Sequence, residues 1–383
     1  MIRSFKKASR IQKTLIIVAF VVIVFGLSGC ETFSFYRQAI KGQYQLIANQ
    51  QPIDKLAANT NTEPRLRKQL QLVQELRGFA DKELKLPVDN HYRKYVDVHR
   101  PYVVWNVEAA PEFSMEPKSW WYPLVGSLEY RGYFAERAAQ HYGGTLRKRG
   151  YDVYIGGASA YSTLGWFEDP VLNTFIFDPE PGLAETLFHE LGHQRVFARG
   201  DTDFNEAFAT TVGQEGARRW LRAKGDTNVF ERYKSELARD NDFVHLVMDA
   251  RRELEALYGD ERNEAGKIKA SRKPRDLSPD ELRERKKAVF EQLRNRYAQM
   301  KVQWGGNADY DKFFSRQLNN AQLNSVAAYY DLVPGFMQLL KLNGDDLEKF
   351  YDAAEKLSKK PKIERQQWLR THAGNGSVVQ SQK

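Results

Sequence analysis

The segment FHELGHQRVF at residues 188–197 limits what this chain can fold into more than any other part of the sequence. His189 and His193 are four residues apart, so on a helix both imidazoles project from one face. Two such imidazoles can bind one zinc ion, and Glu190 beside the first histidine can then remove a proton from a water that zinc activates. The alternative is an ordinary amphipathic helix with surface or core histidines. Gly192 favours the metal site, because a glycine inside a helix costs up to about 1 kcal/mol relative to alanine unless another element packs closely there.

A catalytic zinc ion needs a third protein ligand in addition to two histidines. The segment DFNEAFA at 203–209 follows a Gly-Asp break at 200–201, which allows the next helix to fold back over the first. Glu206 then lies near the first turn of that helix and is the predicted third ligand. Asp203 and Glu215 are the other candidates. The alternative for Glu206 is a helix-start acid that the helix dipole favours.

The first 29 residues have the pattern of an export signal. They carry five cations and no acid, followed by an apolar run from Thr14 to Gly29 that ends in small residues. This run is shorter than the roughly 20 residues that a stable membrane-spanning helix requires. The whole chain has a net charge of +9, and removal of this segment with its five cations leaves +4. A charge this small, with bases dispersed among acids, disfavours a nucleic-acid partner.

Cys30 is the only cysteine in the sequence, so the chain cannot form an internal disulfide. Together with LSG at 27–29 it resembles the bacterial lipobox, at which the signal is cut and the cysteine sulfur is acylated. The resemblance implies a lipoprotein that is attached to a lipid bilayer by its acyl chains, since each buried methylene contributes about 0.8 kcal/mol. Glu31 stands where an aspartate tends to retain lipoproteins in the inner membrane, which favours the outer membrane. The alternative is an uncleaved N-terminal anchor with a coincidental cysteine.

Beyond this segment, the sequence predicts an α+β fold in which a small β-sheet packs against a mostly helical body. Apolar residues three and four apart predict helices within residues 31–86. β-Branched and aromatic residues bounded by glycine, aspartate and proline predict strands at 95–107, 151–163 and 173–177. Further helices are predicted at 182–198, 205–224, 279–301, 311–329 and 345–358.

The two helices that carry the candidate ligands resemble the gluzincin arrangement of thermolysin, in which an Asn-Glu pair on the second helix provides the third zinc ligand. This chain has an Asn-Glu pair at 205–206. Thermolysin-like enzymes place an aspartate four residues after that glutamate to orient the first histidine, whereas this chain has Thr210 there. The resemblance therefore does not identify the groups that orient the zinc-binding histidines.

Several segments resemble the bacterial zinc aminopeptidases, a lipoprotein family of this length with an HExxH motif. They are YRGYF at 130–134, GGASAYSTLGWFEDPVLNTF at 156–175, HELGHQ at 189–194 and FNEAFATTVGQEG at 204–216. The resemblance extends from Cys30 to NNAQLNSVAAYYDLVPGF at 319–336. It implies a gluzincin-like core that binds Zn²⁺ and acts on a peptide substrate.

We divide the chain into four parts on this basis. They are an export signal at 1–29, a helical region at 30–90, a zinc metallopeptidase domain at 91–360 and a flexible tail at 361–383. Within the domain, the polar segment 258–281, which contains proline and glycine, is predicted to be a loop. The sequence leaves open whether the domain is one body or two lobes, and it leaves the oligomeric state open.

A peptide substrate needs contacts beyond the zinc ligands. Gluzincins bind an extended substrate along an edge strand before the zinc helix, and the glycines of GGASAYST at 156–163 permit such an approach. A strand with a bulge is the alternative. Negative charge that develops on the carbonyl oxygen needs a hydrogen-bond donor, and the candidates for this donor are Tyr161, Tyr329 and Tyr330. An aminopeptidase also needs a carboxylate that binds the substrate amine, and the candidates for it are Glu168, Asp169 and Glu215.

These observations predict a zinc-dependent peptidase, anchored by lipid in the cell envelope and facing the periplasm, in which activated water attacks a peptide carbonyl. Aminopeptidase activity, rather than endopeptidase activity on envelope proteins, rests on the family resemblance alone. The rival from another class is a non-catalytic envelope lipoprotein that uses zinc structurally or not at all. A structural zinc site is closed by four protein ligands, usually with cysteines, and the one cysteine here lies at the lipidated end.

Overall fold

The computed structural model describes residues 30–122, 126–160, 168–262, 268–270 and 277–373. The predicted export signal at 1–29 and Tyr161 lie outside these described residues. The fold is α+β and 62% helical, with small sheets, so the predicted fold class is confirmed. In the described ranges, no helix combines the length and the apolar character that crossing a bilayer requires.

The N-terminal region is helical because its apolar residues recur at helical spacing. Its helices are α1 (Cys30–Ala48), α2 (Ile53–Ala58) and α3 (Pro64–Lys82). Leu70, Val73 and Leu76 of α3 are fully buried and belong to the same hydrophobic core as the helices after residue 180. The predicted regions 30–90 and 91–360 therefore share a core.

Two small three-stranded sheets are formed by residues between 51 and 172. The first consists of β1 (Gln51–Pro52), β2 (Lys94–Val96) and β8 (Val171–Leu172). The second consists of β3 (Val104–Pro111), β6 (Arg131–Tyr133) and β7 (Tyr151–Ala158), with β3 in the centre and antiparallel pairing. The chain between β3 and β6 forms a hairpin of β4 (Trp120–Tyr122) and β5 (Gly126–Leu128).

The rest of the described chain is mostly helical. Its helices are α4 (Glu136–Lys148), α5 (Glu180–Arg195), α6 (Thr202–Lys224), α7 (Thr227–Tyr258), α8 (Pro279–Gln303), α9 (Asp311–Phe314), α10 (Asn320–Tyr330), α11 (Val333–Leu342), α12 (Leu347–Ser358) and α13 (Lys362–Ala373). A capping box of Ser278 and Glu281 begins α8, and the Asn319 side chain caps α10. The predicted helices after residue 180 are thus present with slightly shifted ends, and the one at 311–329 is split at 315–319.

The alternation of side chains along β3 gives the second sheet two different faces. Trp105 and Val107 are buried in a cluster with the apolar face of α4. Asn106 and Glu108, which alternate with them, line a cavity on the opposite face together with residues of α10. Polar groups of the sheet are therefore directed toward the C-terminal helices.

The predicted tail is partly wrong, because residues 362–373 form α13. Leu369 of this helix is fully buried in the main core, and Arg365 and Gln366 are also buried. Polar residues in this segment are inside the protein because they have buried hydrogen-bond partners. Residues 374–383 lie outside the described residues.

Two further predictions need correction. Residues 173–177 form turns rather than a strand, and Phe175 and Ile176 are buried there, so their apolar character reflects burial and not sheet pairing. The polar segment 258–281 is not entirely a loop. It contains a short hairpin of β9 (Glu261–Arg262) and β10 (Ile268–Lys269).

Candidate metal centre

The two histidines of α5 and a glutamate of α6 converge on one point. Glu206 Oε2 lies 3.4 Å from His189 Nε2 and 3.6 Å from His193 Nε2. One ligand atom from each residue lies within 4.8 Å of the other two. In the part of the chain that the structure describes, this is the one group of three or more His, Cys, Asp or Glu side chains with such spacing. The predicted ligand set therefore lies together and could hold a metal ion.

Two glycines allow α5 and α6 to come close enough for this convergence. A Cβ added to Gly192 of α5 would lie 3.3 Å from Ala209 Cα of α6. A Cβ added to Gly213 of α6 would lie 2.8 Å from the carbonyl oxygen of Glu185 of α5. Both glycines are thus at the interface, where a side chain has little or no room. The close packing that we predicted at Gly192 is confirmed.

Buried hydrogen bonds hold the turn between these helices. Asn205 Oδ1 accepts a bond from the Ala198 N–H at 2.7 Å, and Asn205 Nδ2 donates to the Ala198 carbonyl at 2.9 Å. Asp201, at the start of α6, is 0% exposed and accepts bonds from Arg365 Nε at 2.7 Å and from Gln366 Nε2 at 2.6 Å. These contacts with the backbone and with α13 fix where α6 begins, and with it the position of the carboxylate ligand.

Glu190 lies beside the first histidine and is 8% exposed. Its Oε2 has no hydrogen-bond partner among the described residues. Burial raises the pKa of this carboxyl, and the carboxylates of Glu206 and Asp169 add to the shift against the opposing effect of the two histidines. A carboxylate of raised basicity with an unpaired oxygen has the properties of a general base.

The metal ligands compensate one another electrostatically when no cation is bound. Burial opposes ionisation of Glu206, but attraction to His193 and hydrogen bonds from both histidines outweigh it, so the pKa of Glu206 is lowered. Burial opposes protonation of His193, but the Glu206 carboxylate outweighs it, so the pKa of His193 is raised. A proton on the His193 imidazole thus supplies the positive charge that a metal cation would supply.

The tyrosines that the sequence suggested as oxyanion donors differ in position. The Tyr329 ring lies against His189, with centroids 6.4 Å apart and planes at 27°. The Glu206 carboxylate and, after it, burial raise the pKa of Tyr329 well above its ordinary value, so this hydroxyl stays protonated. The pKa of Tyr330 is raised by burial and by carboxylates of α5 and α7 that are not candidate ligands. Tyr329 is therefore beside the metal centre, and Tyr161 lies outside the described residues.

Two of the acidic candidates are engaged by cations. Glu215, suggested both as a ligand and as an amine-binding group, accepts hydrogen bonds from Arg218 and Arg219 of its own helix. Glu168 forms a 2.8 Å ion pair with Lys94. Neither belongs to the group of potential metal ligands.

The remaining two acids differ in their relation to the candidate centre. Asp203 accepts a 3.4 Å hydrogen bond from Gln366 of α13. Asp169 is buried, accepts a 3.4 Å hydrogen bond from Gln194, and contributes to the raised pKa of His193. His193 Nδ1 is itself buried and makes no hydrogen bond within the described ranges. Asp169 therefore acts on this histidine through its charge.

A partly buried carboxyl that we did not single out in the sequence lies one helical turn before His189. Glu185 accepts a 2.7 Å hydrogen bond from the Tyr233 hydroxyl of α7, and burial raises its pKa to about 7. The four-residue spacing places Glu185 and His189 on one face of α5, which is a signal that the sequence does contain. The partner tyrosine is 48 residues away and follows only from the fold.

The predicted substrate strand is an edge strand. Among the described strands, β7 pairs only with β3, in a continuous register over residues 151–158 that excludes a bulge there. Arg316 donates to the Ile155 carbonyl at 3.4 Å, and Asn319 donates to the Val153 carbonyl at 3.2 Å. These bonds occupy part of the edge. Positions 161–163 of the predicted segment lie outside the described residues.

Two imidazole nitrogens and a carboxylate oxygen at one point form a donor set of catalytic zinc sites, which keep a further position open. The unpaired oxygen of Glu190 beside them fits that use. Fold and site define an α+β protein with a candidate His-His-Glu metal centre on two consecutive helices. The chain belongs to the family described as "Putative aminopeptidase", whose sequence model matches residues 34–369. No curated protein and no solved structure matches the chain.

Proposed function

We propose that this protein is a zinc-dependent aminopeptidase. The observation that carries the proposal is the convergence of His189, His193 and Glu206, with the buried and unpaired carboxylate oxygen of Glu190 beside them. Family membership supports peptidase activity, and the donor set supports zinc. A structural zinc site has less support, because such sites are closed by four protein ligands, and the group in the described residues has three.

A zinc ion held by these three side chains would polarise the peptide carbonyl and lower the pKa of a water molecule. Glu190 accepts the proton of the attacking water, a role that its burial and raised pKa support. The protonated carboxyl then gives that proton to the leaving amine. The Tyr329 hydroxyl donates a hydrogen bond to the negative charge that develops on the carbonyl oxygen.

Replacement of Glu190 by glutamine tests this proposal with little change in shape. We expect the wild type to contain about one zinc ion per chain and to shorten peptides from the amino end. Glu190→Gln should keep the zinc and lose roughly 10²- to 10⁴-fold in kcat. Glu348→Gln, which changes an exposed acid at the start of α12, is the matched control and should leave both zinc content and kcat unchanged.

Digestion of a peptide library by wild type and Glu190→Gln, read by mass spectrometry, gives the cleavage positions and the loss of rate together. Cleavage at internal bonds would identify an endopeptidase. A wild type without zinc, or equal cleavage by both proteins, would remove the enzyme proposal. Loss of zinc in Glu190→Gln would show that the roles of the four residues are misassigned.

We also propose that Cys30 is acylated and that the protein faces the periplasm from the outer membrane. The LSGC segment at 27–30 and the apolar run before it support this placement. Cys30→Ala should then move the protein from the membrane fraction to the soluble fraction. Unchanged attachment would indicate an uncleaved N-terminal anchor instead.

A further inference from the structure

A cavity beside Tyr329 contains polar groups that the proposed catalytic steps do not use. It lies between β3, the chain that joins β5 to β6, the start of α6, and α10. Its lining includes Glu108, Glu129, Tyr130 and Thr202. The centre of a water-sized group can occupy about 20 Å³ of this cavity. The cavity therefore holds one such group but not an amino-acid side chain.

The lining of this cavity includes the acceptor oxygens of Glu108, Glu129 and Thr202. Burial, and then the Glu129 carboxylate, raise the pKa of Glu108 to about 8. The charged neighbour that acts on Glu108 is therefore a like charge, which is unfavourable unless a proton or a cation compensates it. Thr202 is 5% exposed, and its Oγ1 has no hydrogen-bond partner in the described structure. Because buried hydroxyls are nearly always paired, Thr202 Oγ1 leaves room in this cavity for a polar group that bonds to it.

The cavity adjoins the metal centre through shared elements. Tyr329 lines the cavity, and its ring also lies against His189. Thr202 and Glu206 are four residues apart on α6, so their side chains project from the same face of that helix. A group bound in the cavity is therefore next to a peptide bound at the candidate zinc site.

We propose that this cavity binds the α-ammonium group of the substrate, with Glu108 and Thr202 as acceptors, and so selects peptides with a free amino terminus. The inference rests on the proposed peptidase function. An ionised carboxylate only accepts hydrogen bonds, and a bound cation would displace to solvent the proton that Glu108 otherwise retains. A primary ammonium supplies that positive charge together with three N–H donors. An acylated or extended terminus is too large for the space. The three carboxylates that the sequence suggested for this role do not line the cavity.

Binding to the metal-free protein tests this inference without requiring hydrolysis. We expect leucinamide, which has an α-ammonium, to bind to chelator-treated full-length protein in a calorimetric titration, and N-acetyl-leucinamide not to bind. Glu108→Gln should weaken leucinamide roughly 10- to 100-fold, and Thr202→Val should weaken it several-fold. The control is Thr211→Val, which removes a buried hydroxyl bonded to the Ala207 carbonyl on the same helix, away from the cavity, and should leave binding unchanged.

A kinetic measurement on the zinc-loaded protein completes the test. Glu108→Gln should lower kcat/KM for Leu-Gly-Gly by roughly 10- to 100-fold, while its zinc content and circular dichroism match those of the wild type. Unchanged leucinamide binding in both Glu108→Gln and Thr202→Val would overturn the inference even if the wild type is an active peptidase. Equal binding of N-acetyl-lysinamide would also overturn it, because the ammonium would then come from a side chain. Conversely, a wild type that binds leucinamide but cleaves nothing would remove the proposed function and leave the binding site.

Discussion

Gly213 faces His189 across the interface of α5 and α6. A Cβ on Gly213 would lie 3.1 Å from the His189 Cβ and 2.8 Å from the Glu185 carbonyl oxygen. Because that oxygen belongs to the backbone, it cannot move without moving the helix. Because Gly213 has no side chain, α6 can approach α5 closely enough to keep His189 in its position at the candidate site.

Gly213→Ala should therefore separate the two helices and weaken zinc binding. We expect a loss of about 1–3 kcal/mol in the free energy of unfolding of the metal-free protein, as for other overpacked interiors. Zinc affinity should fall about tenfold or more, because the histidines and Glu206 lie on different helices. Competition with a chromophoric chelator measures the affinity, and thermal unfolding measures the stability.

The control for this substitution is Gly78→Ala on α3. A Cβ at Gly78 would meet nothing within 4 Å, so alanine should stabilise the helix by about 0.4–1 kcal/mol and leave zinc affinity unchanged. If Gly213→Ala behaves like Gly78→Ala, the close approach of the two helices is not what positions the ligands.

Tyr329→Phe should impair catalysis and spare the metal. The substitution removes the hydroxyl proposed to stabilise the carbonyl oxygen, so kcat should fall about 10²- to 10³-fold with zinc content unchanged. The neighbouring Tyr330→Phe removes a hydroxyl whose pKa is raised by burial, Asp240 and Glu185 and not by the candidate ligands. It should change kcat less than threefold, a difference of about 0.6 kcal/mol. Equal effects of the two substitutions would assign Tyr329 to packing alone.

Zinc affinity should fall as the pH falls below neutrality. The pKa of His193 is raised in the metal-free protein, and an imidazole must be neutral to bind zinc. Below that raised pKa, each pH unit should therefore cost about tenfold in affinity for the one proton displaced. Calorimetry in two buffers of different ionisation enthalpy measures the proton released on binding. Affinity that does not change between about pH 6 and pH 8 would contradict this account.

The stability of the metal-free protein should decrease as the pH rises through neutrality. Burial raises the pKa of Glu185 to about 7, above the value of an unfolded chain, so the folded state retains this proton more strongly. The stabilising contribution is complete below the unfolded pKa and is lost as the pH passes the folded pKa, with a total on the order of 3 kcal/mol. Glu185→Gln should remove this loss, so its advantage over the wild type should grow from about pH 5 to pH 8.

Tyr233→Phe separates the hydrogen bond from the effect of burial. The Tyr233 hydroxyl donates to Glu185 and holds the pKa of Glu185 down, so its removal should shift the loss of stability to higher pH. Thermal unfolding across the pH range with a chelator present measures both variants. Parallel curves for wild type and Glu185→Gln would show that other groups determine the pH dependence.

The sequence was sufficient to predict that His189, His193 and Glu206 lie together, because their geometry is local. A four-residue spacing fixes where two imidazoles project, and a short turn fixes where the next helix can place Glu206. Gly192 was informative for the same reason, since a glycine within a helix predicts a close neighbour. Tyr329 could be named only as one of three tyrosines, because its place beside His189 depends on how α10 packs 140 residues later in the chain.

The segments that were predicted wrongly show what apolar patterns do not reveal. Phe175 and Ile176 have the composition of a strand, but burial in a turn requires the same residue types. Residues 362–373 are polar, and their composition does not indicate burial. A buried arginine such as Arg365 is stable only with a partner, and its partner Asp201 is distant in the sequence. Glu108 was missed since one acid in a strand gives no sign of the cavity that it faces.

The bond between Arg365 and Asp201 also orders the assembly of the candidate metal centre. All the proposed zinc ligands are synthesised before residue 210, yet the helix that donates this bond to the start of α6 begins only at Lys362. A growing polypeptide therefore carries the proposed ligands long before the helix that fixes the start of α6 has been made.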